Sequence, residues 1–408
     1  MNNLLVAQSG GPTAAINATL CGVAKAAMVN PGVGKVLGGL NGIEGILAGR
    51  IIDIGGPLSD PDALRRLQYT PASALGSCRV KLPDPAEDEA PFRTIREVFR
   101  ENEVRFFLYI GGNDSMDTVA KLSAYLQGEA TVVGVPKTLD NDLYGTDHTP
   151  GFGSGAKYLA ATMAELKRDV LVYDRPAVTV VEIMGRNAGW LTAASALGRD
   201  AVPGAPNLIY LPEVPFTEEK FIEDIRRAHG QEKALLVAVG EGIRYPDGSY
   251  VGEGSQLGTV DAYGHKYLEG VSGYLARVVK ERIGCKTRGI TLNLMQRCSS
   301  HIASAADLME AEMQGQTGVA LALEGRNGCM VSLRRLSNHP YRIAFSSVDA
   351  ASVANREKPV PPEYIHTGGN DVTEKLLQYV RPLIRGEVPV QWSQGIPVHF
   401  AFDREEID

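Results

Sequence analysis

Cysteine is scarce in this chain, and its spacing pairs nothing. Cys21, Cys78, Cys285, Cys298 and Cys329 are the five cysteines in 408 residues, and no CxxC occurs. An odd number spread this widely supports neither a disulfide framework nor a zinc site, and it fits reduced thiols in a cytoplasm. A surplus of positive charge is also missing. There are 41 Lys and Arg against 48 Asp and Glu, for a net charge of −7. Bulk nucleic-acid binding wants a basic surface and is disfavoured, whereas a small anionic substrate needs only a few local cations. No run of about 18 apolar residues occurs, so a membrane-spanning helix is not expected. The apolar run Leu4–Ala7 is too short for a signal peptide. The phosphate-loop pattern GxxxxGK[ST] is absent. The run Gly151-x-Gly153-x-Gly155 lacks the spacing of a dinucleotide fold directly after a strand.

What is present is an ordinary globular composition, 44% hydrophobic and 22% charged. The length exceeds what one core supports, so two domains are expected. A strand, a turn and a helix recur in order. Leu4–Ala7 runs into Gln8-Ser9-Gly10-Gly11-Pro12-Thr13 and a helical stretch from Ala14 to Met28. Arg105–Ile110 is closed by Gly111-Gly112-Asn113-Asp114-Ser115, with a helical pattern through Leu126. Thr131–Val135 enters the loop Pro136–Asp142. Ala177–Ile183 ends in Met184-Gly185-Arg186-Asn187, and Ala234–Val239 in Gly240-Glu241-Gly242. Alternation of this kind predicts an α/β fold with mostly parallel sheets, and ligands in such sheets bind beyond the carboxyl ends of the strands. Pro359-Val360-Pro361-Pro362-Glu363 reads as a stiff linker into a tail. A helix is expected there from Asp371 to about Val380, stopped by Pro382. Gly368-Gly369-Asn370-Asp371 echoes Gly111-Gly112-Asn113-Asp114 and reads as that helix's cap.

The strand-end residues suggest chemistry. Gly10 and Gly11 let backbone N–H groups approach a phosphate, or else form a plain tight turn. Asn113 offers an amide oxygen to Mg²⁺ and Asp114 a carboxylate, or else Asp114 or Ser115 caps the helix that follows. Thr138, Asp140 and Asp142 place a hydroxyl and two carboxylates in one loop beside Lys137. A positioned carboxylate takes the proton of an attacking hydroxyl, and phosphoryl transfer otherwise needs charge neutralisation. The same loop is also good polar-turn chemistry. Arg186 ends another strand, Glu241 can accept from sugar hydroxyls, and Arg288 and Arg297 can grip a phosphate with arginine's fork.

In order, QSGGPTAAIN, GSCR at Gly76 to Arg79, YIGGNDS, GVPKTLDND, GTDHTPGF, EIMGRNAGW and LMQR at Leu294 to Arg297 resemble the phosphofructokinase family. The likeness is to its pyrophosphate-dependent branch, and it is less sharp over the last hundred or so residues. The resemblance implies two Rossmann-like three-layer domains with the site in the cleft between them. It also implies residues 1–150 plus about 296–345 as the donor-binding domain, about 151–295 as the fructose 6-phosphate-binding domain, and about 346–408 as an extension packed on the core. Implied roles are Gly10, Gly11, Arg79, Asp114 and Lys137 for the donor, and Asp140 for the base, with Lys137, Asp114 and Arg186 as further members of the catalytic set. Thr138, Met184, Gly185, Arg186 and Glu241 are implied for the sugar, Arg288 and Arg297 for the 6-phosphate. Mg²⁺ is the implied cofactor, with Asn113 at the metal position. A homodimer or homotetramer with shared sites is implied, acting in glycolysis and gluconeogenesis, with no nucleic-acid or membrane partner.

Members using ATP have Gly at the positions of Asp114 and Lys137. A carboxylate at Asp114 would repel a nucleotide's α-phosphate; two like charges about 4 Å apart cost roughly 1 to 4 kcal/mol. Two departures stand out. The family's metal-binding Asp is Asn113 here, a weaker ligand. Leu294 stands where relatives often carry a polar ligand to the 6-phosphate. An ATP-dependent phosphofructokinase, a non-catalytic regulatory subunit and, more remotely, a nucleotide-binding oxidoreductase are the competing readings.

Overall fold

The computed structural model describes residues 2–172, 174–252 and 270–403. The strands of its two main sheets are β1 (Asn3–Gln8), β2 (Val36–Gly39), β3 (Ile51–Asp53), β4 (Val104–Gly111), β5 (Thr131–Pro136), β6 (Ala177–Ile183), β7 (Leu208–Tyr210), β8 (Ala234–Gly240), β9 (Lys286–Thr291), β10 (Cys329–Asn338) and β11 (Tyr341–Asp349). Seven make one sheet in the order β11-β10-β5-β4-β1-β2-β3, and four make another in the order β7-β8-β6-β9. The smaller sheet is wholly parallel. The larger is parallel through its middle, with antiparallel strands β3 and β11 at the edges.

The apolar runs at the centre of each sheet are continuous because both faces are covered. Along β1, Leu4 and Val6 join one core with Leu20, Val23 and Val319, while Leu5 and Ala7 join another with Phe92, Phe107 and Leu122. Side chains alternate across a strand, so one short run feeds two helical layers. The smaller sheet repeats this: Val181 and Ile183 pack with Phe152 and Trp190, while Val178 and Val180 pack with Phe221, Ile225 and Leu275. On the large sheet, the helices Ile16–Met28 and Ala305–Leu323 cross at Gly22 and Gly315. A Cβ at Gly22 would sit 1.9 Å from the Glu312 carbonyl oxygen, and one at Gly315 would sit 2.2 Å from that of Thr19.

Three details depart from the sequence reading. Strict strand–helix alternation gives no place to the hairpin β10–β11, of which β10 touches β5 at only two residues before turning to β11. The tail helix covers Glu374–Val380, after the cap position Thr373. Gly368–Asp371 is not its cap but a turn: Ile365 bridges Val372, and the His366 N–H donates to the Asp371 carbonyl at 2.9 Å. Gly153 and Gly155 lie inside the helix Phe152–Val170, where the Leu383 carbonyl and the Leu139 side chain approach too closely for a Cβ. They serve packing. The tail buries Val360, Leu376, Tyr379 and Leu383 in the same core as Trp190.

Candidate active site

The carboxyl ends of β1, β4, β5 and β6 open onto one cleft of about 970 Å³. Gly10, Gly11, Arg79, Asn113, Asp114, Lys137, Thr138, Asp140 and Met184 line it, and so does Arg297. The first loop is held from below. The buried amide of Gln8 donates to Asn17 Oδ1 at 3.0 Å and accepts from the Leu75 N–H at 3.0 Å. Gly10 N–H donates to the Cys78 carbonyl at 3.0 Å, and Ser77 Oγ returns a bond to the Gly10 carbonyl at 2.7 Å. These bonds carry Arg79 to the mouth of the loop. Gly10 has φ +73°, a conformation natural to glycine, and a Cβ there would lie 3.3 Å from Lys137 Nζ. At Gly111 a Cβ would overlap Ser115 Oγ and Ser9 Oγ, so only glycine lets the β1 and β4 turns meet.

Lys137 is 2% exposed, and its Nζ donates to the Gly11 carbonyl at 2.6 Å. Burial pushes its pKa down to about 7; Asp140 opposes this, while Arg297 and Arg79 add to it. Asp140 is pushed the other way, up to about 7, by burial and by the carboxylates of Asp142 and Glu241, against the pull of Lys137 and Arg297. A carboxylate and an ammonium titrating near neutrality suit proton transfer. Thr138 Oγ1 accepts the Asp140 N–H at 3.2 Å, and Asn141 turns the loop with φ +55°.

The Gly185 N–H donates to Glu241 Oε1 at 3.2 Å, joining the ends of β6 and β8. Burial raises the Glu241 pKa, and the nearby Arg186 charge offsets part of that rise. Met184 N–H donates to Gln296 Oε1 at 3.2 Å, which places Arg297 against the cleft. The Arg297 guanidinium stands beside Gly11, 3.2 Å from where a Cβ would be, and burial and Arg79 lower its pKa. It therefore faces the glycine loop as well as Asp140. Arg288 lies elsewhere, on the edge strand β9, with its guanidinium 3.5 Å from Asp169. Leu294 is 52% exposed.

Asp114 lies in the first turn of the helix Asn113–Tyr125 but does not cap it; it pairs with Lys81 at 2.7 Å. Ser115 does not cap it either, and bonds to Ser9 Oγ instead. Asn113 Nδ2 donates to the Arg356 carbonyl at 2.8 Å, while its buried Oδ1 has no partner among the described residues. An orphaned amide oxygen on the cleft wall fits a hard cation or its bound water. Among the described residues no three His, Cys, Asp or Glu cluster to hold a metal alone, so such an ion would lean on substrate oxygens.

Sequence reasoning passed over Lys81, Asn187, Asn355 and Glu357, all of which line the cleft. Lys81 lies two residues after GSCR and Asn187 directly follows MGR, a signal within reach. Asn355 and Glu357 come from the tail and carry no local sign.

A sequence model described as Phosphofructokinase matches residues 3–322. The chain belongs to the phosphofructokinase family. A relative from Halomonas elongata, named pyrophosphate–fructose 6-phosphate 1-phosphotransferase, is 38% identical over 97% of this chain and 95% of its own length. One of the same name from Methylococcus capsulatus is 40% identical over 97% and 94%. A solved pyrophosphate-dependent phosphofructokinase from Marinobacter aquaeolei matches with a TM-score of 0.87 at 36% identity, covering 98% of this chain and 95% of that one. The family model's match ends at residue 322, before the tail that supplies Asn355 and Glu357.

Proposed function

We propose that this enzyme moves a phosphoryl group reversibly between pyrophosphate and the 1-hydroxyl of fructose 6-phosphate. The observation that carries this is the buried Lys137 ammonium, set between the Gly11 carbonyl and Asp140, with the Asp114 carboxylate on the same cleft wall. The names of the relatives at 38% and 40% identity favour pyrophosphate over ATP as the donor. On this reading the large sheet, within residues 1–150 plus about 296–345, presents the donor. Residues of about 151–295 present the sugar, and the chain beyond about 346 braces the core.

The donor rests on Gly10, Gly11 and Arg79, with Lys137 over the transferred group. The sugar lies against Thr138, Met184, Gly185, Arg186 and Glu241. Its 1-hydroxyl oxygen bonds to phosphorus as Asp140 accepts the hydroxyl proton, and the bridging P–O bond breaks to release orthophosphate. Lys137 and Arg79 neutralise charge on the oxygens in flight. Mg²⁺, when bound with Asn113 and the donor's own oxygens, would offset donor charge. Arg297 and Arg288 grip the 6-phosphate. The place of Arg288 on an edge strand suits contribution to a neighbouring subunit's site in a homodimer or homotetramer. Such an enzyme would work in the cytoplasm, in glycolysis and gluconeogenesis.

Purified protein assayed with fructose 6-phosphate, Mg²⁺ and either donor tests the reading. Turnover is expected with pyrophosphate and not with ATP. Strong ATP use without pyrophosphate use would overturn it, and no turnover beside an effect on a partner's activity would point to a regulatory subunit.

A further inference from the structure

The tail beyond the reach of the family model re-enters the cleft and touches three strand ends in succession. The Arg356 carbonyl accepts from Asn113 Nδ2, at the start of the helix after β4, at 2.8 Å. Glu357 bridges Leu143, and its Oε1 accepts from Asn187 Nδ2, in the loop after β6, at 2.7 Å. The Lys358 N–H donates to the Asp142 carbonyl, in the loop after β5, at 2.7 Å. The short strap 356–358 thus joins loops from both sheets.

Lys358 adds most to the loop that carries Asp140. Its Nζ donates to the Asp147 carbonyl at 2.7 Å, the Thr146 carbonyl at 3.1 Å and Asn141 Oδ1 at 3.4 Å. Asn141 is the residue with φ +55° between the two carboxylates. Its Nδ2 donates to Tyr379 Oη at 3.1 Å, and Tyr379 Oη donates to the Asp147 carbonyl at 2.7 Å. Both partners of the Asn141 amide therefore come from the tail. The strap is fixed in turn, since Trp190 Nε1 donates to the Lys358 carbonyl at 2.8 Å and Arg335 Nη1 to the Tyr379 carbonyl at 2.6 Å.

We propose that Lys358 and Tyr379 are positioning residues for the phosphoryl-transfer loop. They hold the Asn141 amide, so that the strap sets the direction of the Asp140 carboxylate without touching substrate. This rests on the activity proposed above. A reacting group displaced by about 1 Å can cost on the order of a hundredfold in rate. Binding contacts elsewhere on the sugar and donor would survive.

The test is steady-state kinetics of full-length Lys358→Met and Tyr379→Phe beside the wild type, with pyrophosphate and fructose 6-phosphate. Lys358→Met is expected to lower kcat by about tenfold to a hundredfold, and Tyr379→Phe by about three- to tenfold, with both KM values within about threefold of wild type. In an Asn141→Gly background, which keeps the turn but removes the amide, Tyr379→Phe should cost less than about twofold more, as expected of residues acting as a unit. Full kcat in both variants overturns the proposal. So does a loss carried by KM, or a Tyr379→Phe penalty undiminished in the Asn141→Gly background. Should Lys358→Met not fold, Tyr379→Phe and its cycle with Asn141→Gly decide alone. A wild type inactive on pyrophosphate would count against the proposed function; the ratios of variant to wild type, read with whichever donor is used, address the strap.

Discussion

Lys137 and Asp140 carry opposite burdens in one small space. Burial favours the neutral form of each, and each restrains the other's drift through its charge. As the proposed base, Asp140 must be ionised to accept a proton, so activity should fall as pH drops through its pKa near 7. In its proposed place over the transferred group Lys137 must be charged, so activity should fall as pH rises through its own pKa, also near 7 in the free enzyme. The kcat/KM profile is expected to be a narrow bell centred close to neutrality. Pyrophosphate bound at Lys137 as proposed would hold it protonated, so the alkaline limb of kcat should sit higher than that of kcat/KM. A flat profile from pH 6 to 8.5 would contradict this. Replacing Asp114 and Lys137 together by Gly should lower kcat/KM for pyrophosphate by at least about tenfold, which is about 1.4 kcal/mol of transition-state stabilisation. Unchanged pyrophosphate kinetics in the double variant would refute the donor argument.

At the scale of elements, the strand-end loops were legible in the sequence because each is local. A β-branched run, a glycine turn and a polar cluster fall within about ten residues, and Gly10, Lys137 and Glu241 stand where that pattern puts them. The hairpin β10–β11 and the strap at 356–358 were not legible, because what fixes them is distant in the chain: Lys358 meets Asn141 across 217 positions. The Gly368–Asp371 echo misled because its composition suits a cap and a turn alike. One buried cluster makes a prediction here. His148 lies between Asp147, 2.8 Å from Nδ1, and Glu310, 2.5 Å from Nε2. Burial alone would lower its pKa, but Glu310 and Asp147 outweigh burial and raise it to about 9. A raised histidine pKa contributes stability that is full below about pH 6.5 and lost as pH climbs through about 9. Urea unfolding should therefore show wild type losing on the order of 1–3 kcal/mol across that window, and His148→Asn losing much less. Equal slopes in the two proteins would remove the cluster from the account. The crossing of the helices Ile16–Met28 and Ala305–Leu323 makes a second prediction. Gly22→Ala should destabilise by about 1–3 kcal/mol through overpacking, read from the shift in urea midpoint.

At the scale of the molecule, two sheets, a shared cleft and a tail that straps its loops form one arrangement for holding two anions together. Its net charge is negative, yet the cleft concentrates Arg79, Lys137 and Arg297, which the overall balance of charge hides. The central claim is that the phosphoryl group passes between the sugar and pyrophosphate with no nucleotide. The most direct test runs the reaction backwards under ³¹P nuclear magnetic resonance, with fructose 1,6-bisphosphate, orthophosphate, Mg²⁺ and pure enzyme. The account predicts a growing pyrophosphate signal as fructose 6-phosphate forms. No pyrophosphate from orthophosphate, together with ATP formed when ADP is supplied instead, would contradict it.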